Sequence, residues 1–238
     1  MARGPGKRSL VVVGATALTA ASLVSAPVRA GGPTCFGQPA TIVGNGSNND
    51  IDGTGGSDVI VAYGGNDDIR ARGGNDRICA GPGDDVVGGG GGEDRIGGGA
   101  GGGGNSERLY GGDGPDVVLG GKGSDNLYGE GGADELKGQG QSDLLIGNGK
   151  GDYLGGGPGS DTALGNAGRD TILGLKGDDT NLVGGGGADE IYGHSGSDRL
   201  DGRDGIPGND YLNGGAQSDT CLTDATFDHF DTSENCEP

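Results

Sequence analysis

Aspartate recurs at every ninth residue through most of this 238-residue chain. The aspartates that keep this spacing fall into four series separated by longer intervals, and they are Asp58, Asp67, Asp76, Asp85, Asp94, Asp116, Asp125, Asp134, Asp143, Asp152, Asp161, Asp170, Asp179, Asp189, Asp198, Asp210 and Asp219. An aliphatic residue usually follows each aspartate by two positions, and a glycine usually precedes it by two. A fixed period of this length indicates a repeat architecture, in which each unit packs mainly on its neighbours.

The composition limits the kinds of core that the chain can form. Glycine accounts for 62 residues, hydrophobic residues for only 30% and aromatic residues for 4%, with no tryptophan. Such material cannot build a broad core of large side chains, and glycine does not fall at every third residue as in collagen. The 35 acidic and 16 basic side chains give a net charge of −19. Because this charge repels phosphate and attracts cations, we expect no nucleic-acid partner.

The repeating unit has the form G-G-x-G-x-D-x-U-x, where U is aliphatic, and residues 111–119 show it best. Its glycine-rich part can adopt the positive φ angles of a tight turn, and its last three residues suit a short strand. If two units complete one coil of eighteen residues, strands stack in parallel on two faces and the aliphatic side chains point inward. We therefore predict an all-β fold, a parallel β-roll of nonapeptide repeats with a narrow aliphatic core.

Coiling of this kind brings the aspartates together in rows. Carboxylates on adjacent coils, about 4.8 Å apart, repel by roughly 0.9 kcal/mol in water and by about 3.5 kcal/mol at an effective dielectric constant of 20. A divalent cation between successive turns reverses the sign of this interaction. Carboxylate and carbonyl oxygens favour Ca²⁺ over Zn²⁺, and Mg²⁺ demands a smaller octahedral site. We therefore expect Ca²⁺ as a cofactor of folding.

Over residues 44–222 the unit resembles the repeat-in-toxin (RTX) family of calcium-binding nonapeptide repeats. The resemblance implies that the turns hold multiple calcium ions, with the seventeen periodic aspartates and turn carbonyls as ligands. It implies no catalysis, and the sequence contains neither an H-E-x-x-H nor a G-x-S-x-G motif. We therefore expect no enzymatic activity from this chain.

Irregular intervals predict where the roll is modified. Residues 97–105 are almost all glycine and lengthen one interval to thirteen residues, which predicts an interruption or a loop and makes Glu107 a doubtful ligand. One extra residue follows Asp179, and a bulge that absorbs it would let Leu182 continue the core. A second interruption is expected at residues 202–209.

Single substitutions in the unit affect the expected calcium sites. Asn49 stands where the first aspartate of the pattern would be, so a terminal half-site there is neutral and weaker. Other residues replace the glycine two positions before the aspartate in three turns, which puts calcium binding there in doubt; they are Gln141, Lys150 and Gln217.

Residues 1–30 have the order of a secretory signal peptide: a basic start, an apolar stretch from Leu10 to Val24, and small residues up to Ala30. The apolar stretch is short and contains polar residues, so we expect cleavage and no membrane span in the mature form. This segment predicts a secreted, extracellular protein.

Four cysteines lie beyond this segment, and in an oxidising compartment they indicate two disulfides. Three pairings are possible, and we favour Cys35 with Cys79 and Cys221 with Cys236, because each then closes one end of the chain. Residues 31–43 and 223–238 are predicted to cap the two ends of the roll.

We thus expect a secreted calcium-binding repeat protein whose folding is coupled to Ca²⁺. One alternative is an adhesive, cell-surface or ice-binding module, which would favour a regular outward row of one residue type. The other is a non-catalytic accessory module of a secreted enzyme. Tyr110 and Tyr128 are eighteen residues apart and would stack on an outer face, as ordinary sheet packing or as a sugar-binding platform. No protein or cell-wall partner is identified by the sequence.

Overall fold

A computed structural model describes residues 8–10, 32–99, 106–205, 209–224 and 232–236, and this part of the chain consists of strands and turns without a helix. No helix there is long and apolar enough to cross a membrane. In chain order the strands are β1 (Arg8–Leu10), β2 (Thr34–Cys35), β3 (Gln38–Pro39), β4 (Ile42–Val43), β5 (Asn49–Asp52), β6 (Val59–Val61), β7 (Asp68–Gly73), β8 (Arg77–Cys79), β9 (Val86–Gly91), β10 (Arg95–Gly99), β11 (Arg108–Asp113), β12 (Val117–Lys122), β13 (Asn126–Gly131), β14 (Glu135–Gly140), β15 (Leu144–Gly149), β16 (Tyr153–Pro158), β17 (Thr162–Ala167), β18 (Thr171–Lys176), β19 (Asn181–Gly186), β20 (Glu190–Ser195), β21 (Arg199–Asp201), β22 (Tyr211–Ala216), β23 (Thr220–Leu222) and β24 (Thr232–Glu234).

The strands from β4 onward alternate between two parallel sheets. The first sheet has the order β1-β5-β7-β9-β11-β13-β15-β17-β19-β21-β23, and the second contains the even-numbered strands from β4 to β24. Leu109 pairs with Leu127, and Leu127 with Leu145, so one coil takes eighteen residues and two units. The predicted all-β parallel β-roll is confirmed.

The core is a ladder with one aliphatic side chain from each strand. Because side chains alternate across a strand, the residue between two outward neighbours points into the narrow space between the sheets. The buried members of this ladder are Ile42, Ile51, Ile60, Ile69, Ile78, Val87, Ile96, Leu109, Val118, Leu127, Leu136, Leu145, Leu154, Ala163, Ile172, Leu182, Ile191, Leu200 and Leu212. A roll of this kind buries a continuous core with few large residues.

The irregular intervals do not break the ladder. Val87 pairs with Leu109 twenty-two residues later, so the extra residues before Glu107 leave the pairing between β9 and β11 intact. Ala163 pairs with Leu182 nineteen residues later, and Leu182 is fully buried, which confirms that the ladder absorbs the extra residue after Asp179. Residues 100–105 and 206–208 lie outside the described part of the chain.

The segment before the roll lies on the outward face of the second sheet. Strands β2 and β3 form an antiparallel hairpin, and Cys35 is joined to Cys79 with a Cα–Cα distance of 5.7 Å. The Phe36 ring packs over Gly97, and the Arg95 guanidinium lies 4.4 Å from the ring centroid, a cation–π contact. The hairpin therefore covers a sheet face.

Both ends of the roll carry additional strands. The backbone of β1, which falls within the predicted signal peptide, pairs in parallel with β5, and the rest of that peptide lies outside the described residues. At the other end, β24 pairs in parallel with β22, and Cys221 is joined to Cys236 with a Cα–Cα distance of 5.6 Å. Both predicted disulfide pairings are confirmed.

The predicted tyrosine stack is present on the outer face of the first sheet. The rings of Tyr110 and Tyr128 lie 4.8 Å apart between centroids and within 11° of parallel. Since the two rings cover each other's facing surfaces, the pair is explained by ordinary cross-strand packing.

Removal of one rung of the ladder tests how much stability the narrow core supplies. We expect Leu127→Ala to lower the free energy of unfolding of the calcium-loaded protein by about 2–5 kcal/mol, because a fully buried leucine leaves a cavity. The matched control is Leu175→Ala, which shortens a side chain that is 38% exposed. This variant should change the free energy of unfolding by less than about 1 kcal/mol. Denaturant unfolding measures both variants, and equal losses would contradict this description of the core.

Candidate metal centre

The seventeen periodic aspartates are gathered into two rows, one along each edge of the roll, and each is at most 6% exposed. The first row precedes the strands of the second sheet and contains Asp58, Asp76, Asp94, Asp116, Asp134, Asp152, Asp170, Asp189 and Asp210. The second row precedes the strands of the first sheet and contains Asn49, Asp67, Asp85, Glu107, Asp125, Asp143, Asp161, Asp179, Asp198 and Asp219. We call these the aspartate rows.

Hydrogen bonds join the members of a row through one carboxylate oxygen. The backbone N–H of Asp116 donates to Oδ1 of Asp134 at 2.8 Å, and the same contact recurs along both rows. The carbonyl of Asp116 in turn accepts from the N–H of Glu135 at 2.8 Å. Oδ1 therefore ties each turn to the turn of the preceding coil and fixes the position of the carboxylate.

The second carboxylate oxygen has no such partner. Among the described residues, Oδ2 is buried without a hydrogen bond in most members of the rows, namely Asp67, Asp76, Asp85, Asp94, Asp116, Asp125, Asp134, Asp143, Asp152, Asp161, Asp170, Asp179, Asp189, Asp198 and Asp219. A buried polar atom that lacks a partner destabilises a fold by about 1–3 kcal/mol, and more when it is charged. Repetition of this feature in turn after turn indicates a ligand for these oxygens.

Burial also disfavours the charged form of these groups. It raises the pKa of Asp143 to about 8 and the pKa of Asp116 to about 7, with neighbouring carboxylates of the same row adding to the effect. It raises the pKa of Asp161 and of Asp170 to about 6. In a metal-free roll at neutral pH, therefore, many of these carboxyl groups are close to their titration midpoints. A cation beside them would restore the charged form.

The first glycine of most units leaves room for the carboxylate. A Cβ on Gly120 would lie 2.6 Å from Oδ2 of Asp125 and 2.8 Å from the carbonyl oxygen of Gly138 on the next coil. Gly111 has the same surroundings, at 2.5 Å from Oδ2 of Asp116. We call the space bounded by this glycine, the aspartate five residues later and the next coil's carbonyl the glycine crevice. From the sequence, only the glycine two residues before the aspartate was considered part of a calcium site, although a glycine also stands five residues before the aspartate in most units.

The donor set in the crevices suits calcium. Each crevice brings together a buried carboxylate oxygen and a main-chain carbonyl oxygen, the hard ligands that Ca²⁺ prefers. Within the described residues no group of three or more His, Cys, Asp or Glu side chains is arranged to hold a metal by itself. A calcium ion would therefore draw on turn carbonyls and on aspartates of successive coils together, as the resemblance implies.

The three turns that lack the glycine two residues before the aspartate keep the same backbone conformation. Gln141, Lys150 and Gln217 have φ angles of 71°, 106° and 90°, in the left-handed region that favours glycine. Their aspartates remain buried in the rows, and Oδ1 of Asp143 accepts from the preceding coil at 2.8 Å. These substitutions add local strain but do not displace the carboxylates.

Glu107 lies in the second row, although its distance of thirteen residues from Asp94 made it a doubtful ligand. It is fully buried, and its backbone N–H donates to Oδ1 of Asp125 at 3.0 Å, as an aspartate in its place would. Burial, with the adjacent Asp125 carboxyl, raises its pKa to about 9. The longer side chain is therefore accommodated in the row.

The raised pKa values predict how the metal-free roll responds to pH. Because the folded state binds protons more tightly than the unfolded chain, stability is fully present below the unfolded value near 3.8 and is lost as the pH rises through 6 to 8. We expect protein stripped on a chelating resin to be more folded, and to melt at a higher temperature, at pH 5 than at pH 8. Circular dichroism melts measure this, with calcium-saturated protein as the control; a higher melting temperature at pH 8 without metal would contradict the prediction.

The profile of a protein family described as the RTX calcium-binding nonapeptide repeat (4 copies) matches the chain. The matched segments cover more than half of the chain and are residues 43–78, 101–136, 155–180, 181–206 and 207–228. None of the curated proteins compared with the chain matches it. With the parallel roll, the two aspartate rows and this match, the chain belongs to the RTX family of calcium-binding nonapeptide repeats.

Proposed function

We propose that this chain is a secreted calcium-binding protein whose roll folds when Ca²⁺ binds in its turns, with the seventeen periodic aspartates and turn carbonyls as ligands. The observation that carries the proposal is the series of buried Oδ2 atoms that lack a hydrogen bond, most of them beside a glycine crevice. When bound, calcium supplies positive charge and accepts these oxygens as ligands.

Coupling between binding and folding follows from where the ligands come from. Asp116 and Asp134 are eighteen residues apart in sequence and approach each other only when the coils stack. An ion held by both coils therefore binds the folded chain and not the unfolded chain, and it stabilises the fold by mass action. Because neighbouring coils share this arrangement, binding is expected to be cooperative along the roll.

Several features support an extracellular location. The two disulfides fit an oxidising compartment, and the N-terminal segment has the order of a signal peptide. Extracellular calcium-binding modules typically work at 10⁻⁴–10⁻³ M, a concentration range in which a chain that folds on binding calcium would fold after export.

The outer faces favour none of the other functions. The outward row of the first sheet contains Tyr110, Tyr128, Ile146, Leu164 and Val183. This mixture lacks the regular outward row of one residue type that an ice-binding or adhesive surface would favour. A role as a non-catalytic module beside a secreted enzyme remains the alternative, and the calcium chemistry would be the same.

The direct test is circular dichroism of the purified protein during titration with Ca²⁺, with Mg²⁺ as the control. We expect a largely coil-like spectrum in chelator at neutral pH and a cooperative gain of β-sheet signal with Ca²⁺ only. Equal β-sheet content in chelator, or no response at millimolar Ca²⁺, would overturn the proposal.

A pair of variants distinguishes the aspartate rows from acidic surface residues. Asp125→Ala removes a buried carboxylate of the second row and should destabilise the calcium-loaded roll by about 1–3 kcal/mol. Asp113→Ala removes an exposed carboxylate from a neighbouring turn and should leave the calcium response nearly unchanged. The calcium concentration at half-maximal folding measures both, and equal shifts would argue that only overall negative charge matters.

A further inference from the structure

The first two units of the roll begin with Gly44 and Gly53, and the glycine crevice is lost only in the units that follow them. Three successive units begin with alanine in place of the first glycine, and all three methyl groups belong to the buried core; they are Ala62, Ala71 and Ala80. The pairing of β7 with β9, and of β9 with β11, places Ala71 beside Gly89 and Gly89 beside Gly111. The change from alanine to glycine therefore occurs within one continuous column of the first sheet.

The substitution matters because the crevice has no room for a methyl group in the later coils. A Cβ on Gly89 would collide with Oδ2 of Asp94 and would lie 2.5 Å from the carbonyl oxygen of Gly111. In the three alanine units a methyl occupies the equivalent position. An ion and its two oxygen ligands cannot share this space with a carbon atom, so these units offer poorer calcium sites.

The first coils also supply protein partners for carboxylates. Oδ2 of Asp58 accepts hydrogen bonds from the backbone N–H of Thr54 at 2.7 Å and from the Thr54 hydroxyl at 2.9 Å. The Asn49 amide donates to Oδ1 of Asp67 at 2.9 Å and removes one negative charge from the start of the second row. At Asp58, therefore, protein groups carry the role expected of calcium elsewhere, whereas Oδ2 of Asp67, Asp76 and Asp85 has no hydrogen bond.

Charge on the outer face of the same coils is paired as well. Arg70 contacts Asp50 at 2.9 Å and Asp68 at 2.7 Å, and Arg72 contacts Asp52 at 3.1 Å. Each exposed pair contributes little by itself, but together they reduce the repulsion among the acidic side chains of β5 and β7. Near the other end of the roll, Arg199 and Arg203 form a similar cluster on Asp201, at 3.3 and 2.7 Å.

One of the two disulfides closes this part of the chain. The Cys35–Cys79 disulfide joins the N-terminal hairpin to β8 and spans the first coils of the roll. A cross-link of this kind restricts the unfolded chain and so stabilises the segment that it encloses.

We propose that residues 34–88 form a calcium-independent nucleus, and that the coils from Gly89 onward require calcium and add to this nucleus. The inference rests on the proposed function and assigns the calcium requirement to one part of the roll. Parallel strands form slowly because their contacts are distant in sequence, and a preformed coil provides an edge on which the next coil can pair. The alanine units, the Thr54 contacts and the disulfide then all stabilise this nucleus without calcium.

Hydrogen exchange followed by mass spectrometry of the oxidised full chain tests the inference at neutral pH. In chelator, we expect amides of β5 to β8 to exchange at least about tenfold more slowly than those of β13 to β20. Saturating Ca²⁺ should then slow the later strands and change the first strands little. If all strands exchange fast in chelator and calcium protects them together, the nucleus is disproved while the proposed function stands. If all strands are protected in chelator, the proposed function fails.

A matched pair of glycine variants tests the crevice itself. Gly129→Ala places a methyl against Oδ2 of Asp134 and should reduce the number of bound calcium ions by at least one, as counted by equilibrium dialysis. Gly88→Ala, on the outward face of β9, adds a methyl with no atom within 4 Å and should retain the full number. An unchanged number in Gly129→Ala would overturn the crevice argument, and hydrogen exchange of the unmodified chain decides the question if this variant does not fold.

Discussion

One hydrogen bond, repeated once in each turn, organises the roll: the backbone N–H of an aspartate donates to Oδ1 of the aspartate on the next coil. In Asp125 and Asp143 this contact is 2.8 Å long, and both residues are almost fully buried. The bond sets the register between coils and draws the carboxylates into two rows. The strands, the aliphatic ladder and the candidate calcium sites all depend on this register, because each repeats with the same coil length.

The same arrangement creates an electrostatic difficulty that the protein alone does not resolve. Burial leaves Oδ2 without a partner and raises the pKa of residues such as Asp143 and Asp116 well above that of a free aspartate. The first glycine of the unit opens a crevice where this oxygen meets a carbonyl of the next coil. Calcium is the ligand whose charge and preferred donors match both features. Under the proposed function, therefore, the stability of the scaffold and the binding of the ion are linked.

Much of the fold could be predicted because it is a property of one unit repeated many times. The alternation within Val117-Val118-Leu119 was enough to predict a strand with one inward side chain, and the period predicted the two sheets. The site was predicted less completely. Glu107 was considered doubtful from its spacing, and the crevice beside Gly120 was missed, because both depend on contacts between coils rather than on the order of residues within a unit.

The sequence by itself determined the period, and with it the coil, the buried aliphatic ladder and the recurrence of aspartate, since each is a local pattern that eighteen-residue coiling brings into line. Only the tertiary structure decided which exceptions matter. Pairing between β9 and β11 passes over the long glycine-rich interval and returns Glu107 to its row, because the hydrogen bonds between coils keep the same register on both sides of it. The placement of the N-terminal hairpin on the face at Gly97 likewise depends on packing between segments distant in sequence.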